Sequence, residues 1–226
     1  MHVVKIDPKL PEEDLLVQIA RILQEGGVVA YPTETFYGLA ADAANEAAVA
    51  RVFAIKGRPT AKPLPLIIGT NDDLAWAAAA TCVAARLLIA AFWPGPLTLV
   101  LPARPHVSPL LTAGSGKIGI RLSSHPIAAG LARILGRPIT ATSANRSGHT
   151  AHTCPQKLAT ALATELDLVI DGGQAPGGKG STIVDVSLTP PAIIRDGAIP
   201  GDAVRRALAD TARIPPFTAG GARQRS

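Results

Sequence analysis

Between Asp14 and Glu25 the apolar positions Leu15, Leu16, Ile19, Ile22 and Leu23 recur at the spacing of one helical face. Gly26-Gly27 stops that helix, and Val28-Val29-Ala30-Tyr31 reads as a short buried strand. Asn45 is a good N-cap for a helix that runs to Lys56 and ends at Gly57 and Pro59. Further on, the pattern predicts strands at Leu64–Ile68, Leu97–Leu101, Ile118–Leu122, Ile139–Thr142, Leu168–Ile170 and Thr182–Val186. Helices are expected at Leu74–Trp93, a continuous alanine-rich run, and at Ile127–Leu135.

This alternation argues an α/β domain, and strands without an intervening helix make the sheet mixed rather than purely parallel. No internal repeat interrupts it. Residues 1–210 are read as one domain. Residues 211–226, with Pro215-Pro216, Gly220-Gly221 and scattered arginines, are read as a disordered basic tail.

Composition changes this picture little. The 226 residues are 47% hydrophobic and 17% charged, which excludes a disordered or fibrous chain. The run from Leu74 to Trp93 is long enough to span a bilayer, but Arg86 inside it and its many alanines favour a helix packed in a soluble domain. Two cysteines, Cys82 and Cys154, supply neither a disulfide framework nor a zinc knuckle, and the N-terminus Met1–Pro8 shows no apolar core of a targeting signal, so the cytoplasm is the expected compartment. The net charge of +5 invites a nucleic-acid reading, yet five arginines against two aspartates from Gly201 onward leave only +2 in the body.

Three polar segments at element ends are candidates for chemistry. Lys56-Gly57-Arg58-Pro59 with Lys62 gathers three cations that could cradle phosphate, arginine as a two-pronged fork and lysine as a point charge. The same cations could instead complement the negative end of their own helix. Thr142-Ser143-Ala144-Asn145-Arg146-Ser147-Gly148 and Pro32-Thr33-Glu34-Thr35-Phe36-Tyr37-Gly38 each follow a strand, where open α/β sheets place ligands; either could equally be a turn or a cap. Gly173-Gln174-Ala175-Pro176-Gly177-Gly178-Lys179 imitates a phosphate-binding P-loop, but Gly180 takes the magnesium-ligating position and a strand, not a helix, follows. His149 and His152 lack a third ligand, so no protein-bound metal is expected.

Taken in order, the segment Pro32–Leu39, Lys56-Gly57-Arg58-Pro59 with Lys62-Pro63-Leu64, Trp93-Pro94-Gly95-Pro96-Leu97-Thr98, Gly119-Ile120-Arg121-Leu122, Thr142-Ser143-Ala144-Asn145, Ser181–Asp185 and Arg195-Asp196-Gly197 resemble the YrdC/TsaC family of threonylcarbamoyl-adenylate synthases. The resemblance implies a twisted mixed sheet flanked by helices around a deep basic cavity. It also implies a nucleotidyltransferase that condenses L-threonine, bicarbonate and ATP, with Mg2+ accompanying the nucleotide. Pyrophosphate leaves, and a downstream transferase moves the threonylcarbamoyl group onto tRNA. By the same resemblance Lys56 and Arg58 are catalytic; Arg58, Lys62, Lys117, Ser143, Asn145 and Arg195 contact ATP; and Thr33, Thr35, Arg121 and Ser181 hold threonine. Where some relatives carry a histidine after the cationic motif, this chain has Leu66, Ile67 and Ile68. The single-domain branch is the one resembled. The alternatives are a YrdC-like module that binds RNA without chemistry, for which 4% aromatic content offers few stacking platforms, and a carbamoyl-adenylate-forming paralogue.

Overall fold

The computed structural model describes residues 2–162 and 164–210; the expected basic tail lies outside the described residues. The chain opens with strand β1 (His2–Lys5), helix α1 (Glu13–Gln24) and strands β2 (Val29–Tyr31) and β3 (Gly38–Ala40). Helix α2 (Glu46–Lys56), strand β4 (Leu66–Ile68) and helices α3 (Leu74–Ala77) and α4 (Val83–Phe92) follow. Next come β5 (Leu97–Pro102), α5 (Pro109–Thr112), β6 (Lys117–Leu122), α6 (Pro126–Leu135), β7 (Ile139–Thr140) and β8 (Thr142–Ser143). The described part closes with α7 (Pro155–Ala161), β9 (Leu168–Asp171), β10 (Thr182–Asp185), β11 (Ala192–Arg195) and α8 (Gly201–Ala209).

The strands form two mixed sheets rather than the single one expected, ordered β1-β9-β2-β3-β8 and β11-β10-β5-β6-β4-β7. Side-chain alternation sorts the first sheet between two cores. Val29, Tyr31, Leu168 and Ile170 join Leu16, Ile19 and Leu23 of α1 and Ile127, Leu131 and Leu135 of α6. Val28, Ala30 and Val169 point the other way, into the larger core. That larger core also takes one face of the second sheet, through Leu97, Leu99, Leu101, Ile118, Ile120, Leu122 and Val184. The opposite face of β5, β6 and β10 is left for something else.

Two sequence expectations are corrected. The Leu74–Trp93 run is not one helix: after Ala77 the chain leaves helical geometry, Ala79 N–H donates to Pro102 O at 2.9 Å, and Ala78 bridges Ala103. Pairing with the end of β5 thus satisfies backbone groups that helix continuation would have used, and tertiary context overrides the helix propensity of alanine. No helix among the described residues is long and apolar enough to cross a membrane. The run Ile139–Thr142 likewise splits. Ile139 and Thr140 pair with β4 in the second sheet, whereas Thr142 and Ser143 pair with β3 in the first. Ala141, tied by its N–H to Pro65 O at 2.8 Å, is where the chain passes between sheets.

Candidate active site

At this crossing the two sheets enclose a cavity of about 580 Å³, within the range of small-molecule sites. Its floor is the face of the second sheet left free by the core: Thr98 and Val100 from β5, Lys117, Gly119 and Arg121 from β6, Ile183 and Asp185 from β10, and Ser181 just before it. The period of two explains the sorting, since the intervening Leu99, Ile118, Ile120 and Val184 are buried on the other side. The first sheet contributes Tyr31, Gly38 and Ser143, which lie in one row across β2, β3 and β8. Thr33, Thr35 and Phe36, from the loop joining β2 to β3, complete that wall.

The loop after Tyr31 is held by its own hydroxyls, not by a helix cap. Thr33 Oγ1 donates to Phe36 O at 2.7 Å and accepts from Thr35 N–H at 3.1 Å. Glu34 turns away from the cavity, receives a hydrogen bond from Ser123 Oγ, and faces Arg121 Nη1 at 3.3 Å. The glycine segment that imitated a P-loop is tied to this loop, Gly177 N–H donating to Thr35 O at 2.7 Å.

Arg195 is anchored on Ser181: Nε and Nη2 donate to its carbonyl at 3.1 and 2.7 Å, and Nη2 reaches its Oγ at 3.1 Å. Ser181 Oγ in turn pairs with Thr98 Oγ1 at 2.9 Å. Gly197 permits this arrangement, because a Cβ there would sit 2.3 Å from Gly180 O and 2.4 Å from Ser181 C. Arg58 is held similarly, donating to Lys62 O at 3.3 Å and Pro63 O at 2.8 Å. Both guanidiniums have their pKa drawn down by burial, Arg195 also by the charge of Arg121. Lys117 pairs with Asp185 at 2.9 Å. Burial acts to raise the Asp185 pKa, but hydrogen bonds from Ser187 and Lys117 outweigh it and hold the carboxyl below its usual range.

The cationic motif does not form the expected three-cation cradle. Arg58 lines the cavity; Lys62 is exposed and off its wall. Lys56, 3% exposed, points beneath the wall and donates to Ser143 O, to Asn145 O at 2.9 Å and to Asn145 Oδ1 at 3.1 Å. Burial, then the charge of Arg58, pulls its pKa down to about 8. The helix end is complemented from outside instead: Arg146 Nη1 donates to Ile55 O and Ser147 N–H to Lys56 O. Asn145 is also withdrawn from the cavity. Its Oδ1 accepts from Lys56 and from Ser143 Oγ, and its Nδ2 donates to Arg146 O at 3.0 Å. Lys56 and Asn145 therefore brace the loop that sets Ser143 on the wall.

Of the other sequence-derived candidates, Thr33, Thr35, Lys117, Arg121, Ser143, Ser181 and Arg195 all reach the cavity. Sequence reasoning missed Thr98, Asp185 and the role of Glu34. Thr98 was legible as the polar member of an otherwise apolar strand, and Asp185 as the one charged residue of its strand.

This is an α/β protein with an inter-sheet cavity in which two guanidinium groups, those of Arg58 and Arg195, are oriented by backbone carbonyls. The chain belongs to the Sua5/YciO/YrdC family, described as telomere recombination, whose model matches residues 21–197. It is 38% identical over 92% of its length to the threonylcarbamoyl-AMP synthase of Pyrococcus abyssi and covers 61% of that protein. With the Bacillus subtilis threonylcarbamoyl-AMP synthase it shares 40% identity over 81% of its length, covering 54% of the relative. The chain thus spans between half and two thirds of these relatives. It covers 92% of a shorter threonylcarbamoyl-AMP synthase, from Chromobacterium violaceum, at 37% identity. Among solved structures it is similar to P. abyssi Sua5 complexed with L-threonine, with a TM-score of 0.88 and 36% identity over 92% of this chain and 61% of that one. Escherichia coli YciO gives a TM-score of 0.83 and 29% identity over 90% of this chain and all of that one.

Proposed function

We propose that this chain is an L-threonylcarbamoyladenylate synthase. L-threonine and bicarbonate give a carbamate and water; a carbamate oxygen then attacks the α-phosphorus of ATP, and pyrophosphate leaves. The observation that carries the reading is the set of three arginines around one cavity: Arg121 buried beside a carboxylate, Arg58 half-buried on backbone carbonyls, and Arg195 held on the carbonyl and hydroxyl of Ser181. Names of relatives and the threonine complex of P. abyssi Sua5 supply the chemistry for which that arrangement is suited.

The physical obstacle is that two anions must meet. Arg58 and Arg195, fixed before the nucleotide arrives, screen the phosphates and stabilise the charge that spreads over them as the bond to pyrophosphate breaks. Ser143 and Lys117 supply further donors, and Mg2+ enters as part of the nucleotide substrate. Lys56 and Asn145 act through the loop they brace. Lys62, exposed and off the cavity wall, lies outside these contacts. Arg121 takes the amino-acid carboxylate with its two-pronged edge, assisted by Thr33, Thr35 and Ser181. The adenylate then passes to a transferase acting on tRNA.

The test is pyrophosphate release from Mg-ATP by the full chain with L-threonine and bicarbonate. Release should require both, and Arg58→Ala should slow it about 10²–10³-fold, the loss typical of one preorganised donor. Release independent of threonine, or none at all, contradicts the reading.

A further inference from the structure

The cations of the cavity are not equivalent. Arg121 and Lys117 are matched with carboxylates, Glu34 at 3.3 Å and Asp185 at 2.9 Å. Arg58 and Arg195 bind only neutral oxygens, and among the described residues neither forms an ion pair. Carbonyl dipoles orient a guanidinium without cancelling its charge. A carboxylate does both. The contrast is sharpest at Arg121, which is 7% exposed and whose guanidinium makes no hydrogen bond among the described residues, so its remaining N–H groups stay open to a ligand. Glu34 lies behind it rather than on the wall. One carboxylate oxygen of Glu34 faces Arg121 without a hydrogen bond, and the other is fixed by Ser123 Oγ, whose oxygen also accepts from His125 N–H.

We infer that Glu34 and Asp185 divide the cavity electrostatically, so that the polyphosphate settles on Arg58 and Arg195 while Arg121 is reserved for a single carboxylate. The inference rests on the proposed reaction and adds to it an assignment of specificity to Glu34, a positioning residue that touches no substrate. A polyphosphate approaching Arg121 meets the repulsion of Glu34 with several charges at once. An amino acid brings one carboxylate together with its own ammonium, so its net charge is small and the repulsion is weak. Without Glu34, Arg121 would be a bare buried cation, and the more highly charged ligand would compete for it. The division also sets the two reactants side by side.

The experiment is competition binding on the full chain, with inorganic tripolyphosphate as probe against ATP and L-threonine. In the wild type ATP should displace tripolyphosphate and threonine should not. In Glu34→Gln a threonine-displaceable tripolyphosphate should appear, bound about tenfold or more tighter at that position than in the wild type. Glu34→Asp, which keeps the charge, should retain the wild-type pattern. Arg121→Met decides independently should the glutamine variant not fold: it should lose threonine while tripolyphosphate affinity changes less than about twofold. An unchanged pattern in Glu34→Gln, or a tenfold loss of tripolyphosphate in Arg121→Met, overturns the inference. Failure of the wild type to bind threonine counts instead against the proposed reaction, and the tripolyphosphate affinity of Arg121→Met still judges the charge division.

Discussion

Lys56 is an ammonium with its three donors spent on loop oxygens, and this gives it a pH signature of its own. Its pKa falls from 10.5 to about 8, so between those values the unfolded chain binds the proton more strongly than the folded one. Burying the charge therefore costs stability below about pH 8, and that cost is relieved as the pH rises towards 10.5. Catalysis should run the other way. Loss of the proton removes one donor from the Ser143–Asn145 loop, and the loop positions Ser143 on the cavity wall. Steady-state rates should decline above pH 8 with a rising KM for ATP, while the melting temperature shows no parallel loss from this group. In Lys56→Arg the decline should move to higher pH. A KM for ATP that is flat up to pH 10 contradicts the bracing role. In the sequence the residue looked like a phosphate ligand because charge is visible there and direction is not. The spacing Lys56-Gly57-Arg58 could not tell that neighbouring cations take opposite sides of one wall.

At the scale of elements, α2 was fully legible and for a local reason. Asn45 Oδ1 accepts from Ala48 N–H at 3.1 Å, and Gly57 ends the helix in the left-handed region at φ 55°. Asn45→Ala should cost about 1 kcal/mol, read as a lowered urea midpoint with an unchanged slope. Because α2 delivers both Lys56 and Arg58, that variant should also weaken ATP binding at temperatures near its unfolding transition, and an unaltered midpoint contradicts the capping role. The elements that escaped sequence reading lacked a local signal. Edge strand β1 is mostly exposed, and α8 buries only Val204 of its nine residues. β11 follows no alternation that separates it from a loop, its burial falling from half-buried to exposed along its length. The splits at Ala77 and Ala141 were invisible for a different reason. Both depend on partners distant in sequence, Pro102–Ala103 for the first and the two separate sheets for the second.

For the whole molecule, the alternating pattern was enough to give an α/β domain with mixed pairing, but not the number of sheets. One sheet or two is decided by which strands pair, and the short strands β7 and β8 join different sheets across a single residue. The site emerges at that junction. One sheet turns its polar face towards the other, and the motifs scattered from Thr33 to Arg195 meet because the strands that carry them either present that face or end beside it. Periodicity could not show whether the polar segments meet; long-range register brings Thr33, Arg58 and Ser143 to one cavity.

The central claim is that the cavity brings a carbamylated amino acid to the α-phosphate of ATP. Mass spectrometry of the nucleotides formed from ATP, L-threonine and isotopically labelled bicarbonate tests it most directly. The account predicts an AMP adduct that carries both the threonine mass and the bicarbonate label, and that disappears when either is withheld. AMP or ADP alone, or an adduct without the label, would contradict it.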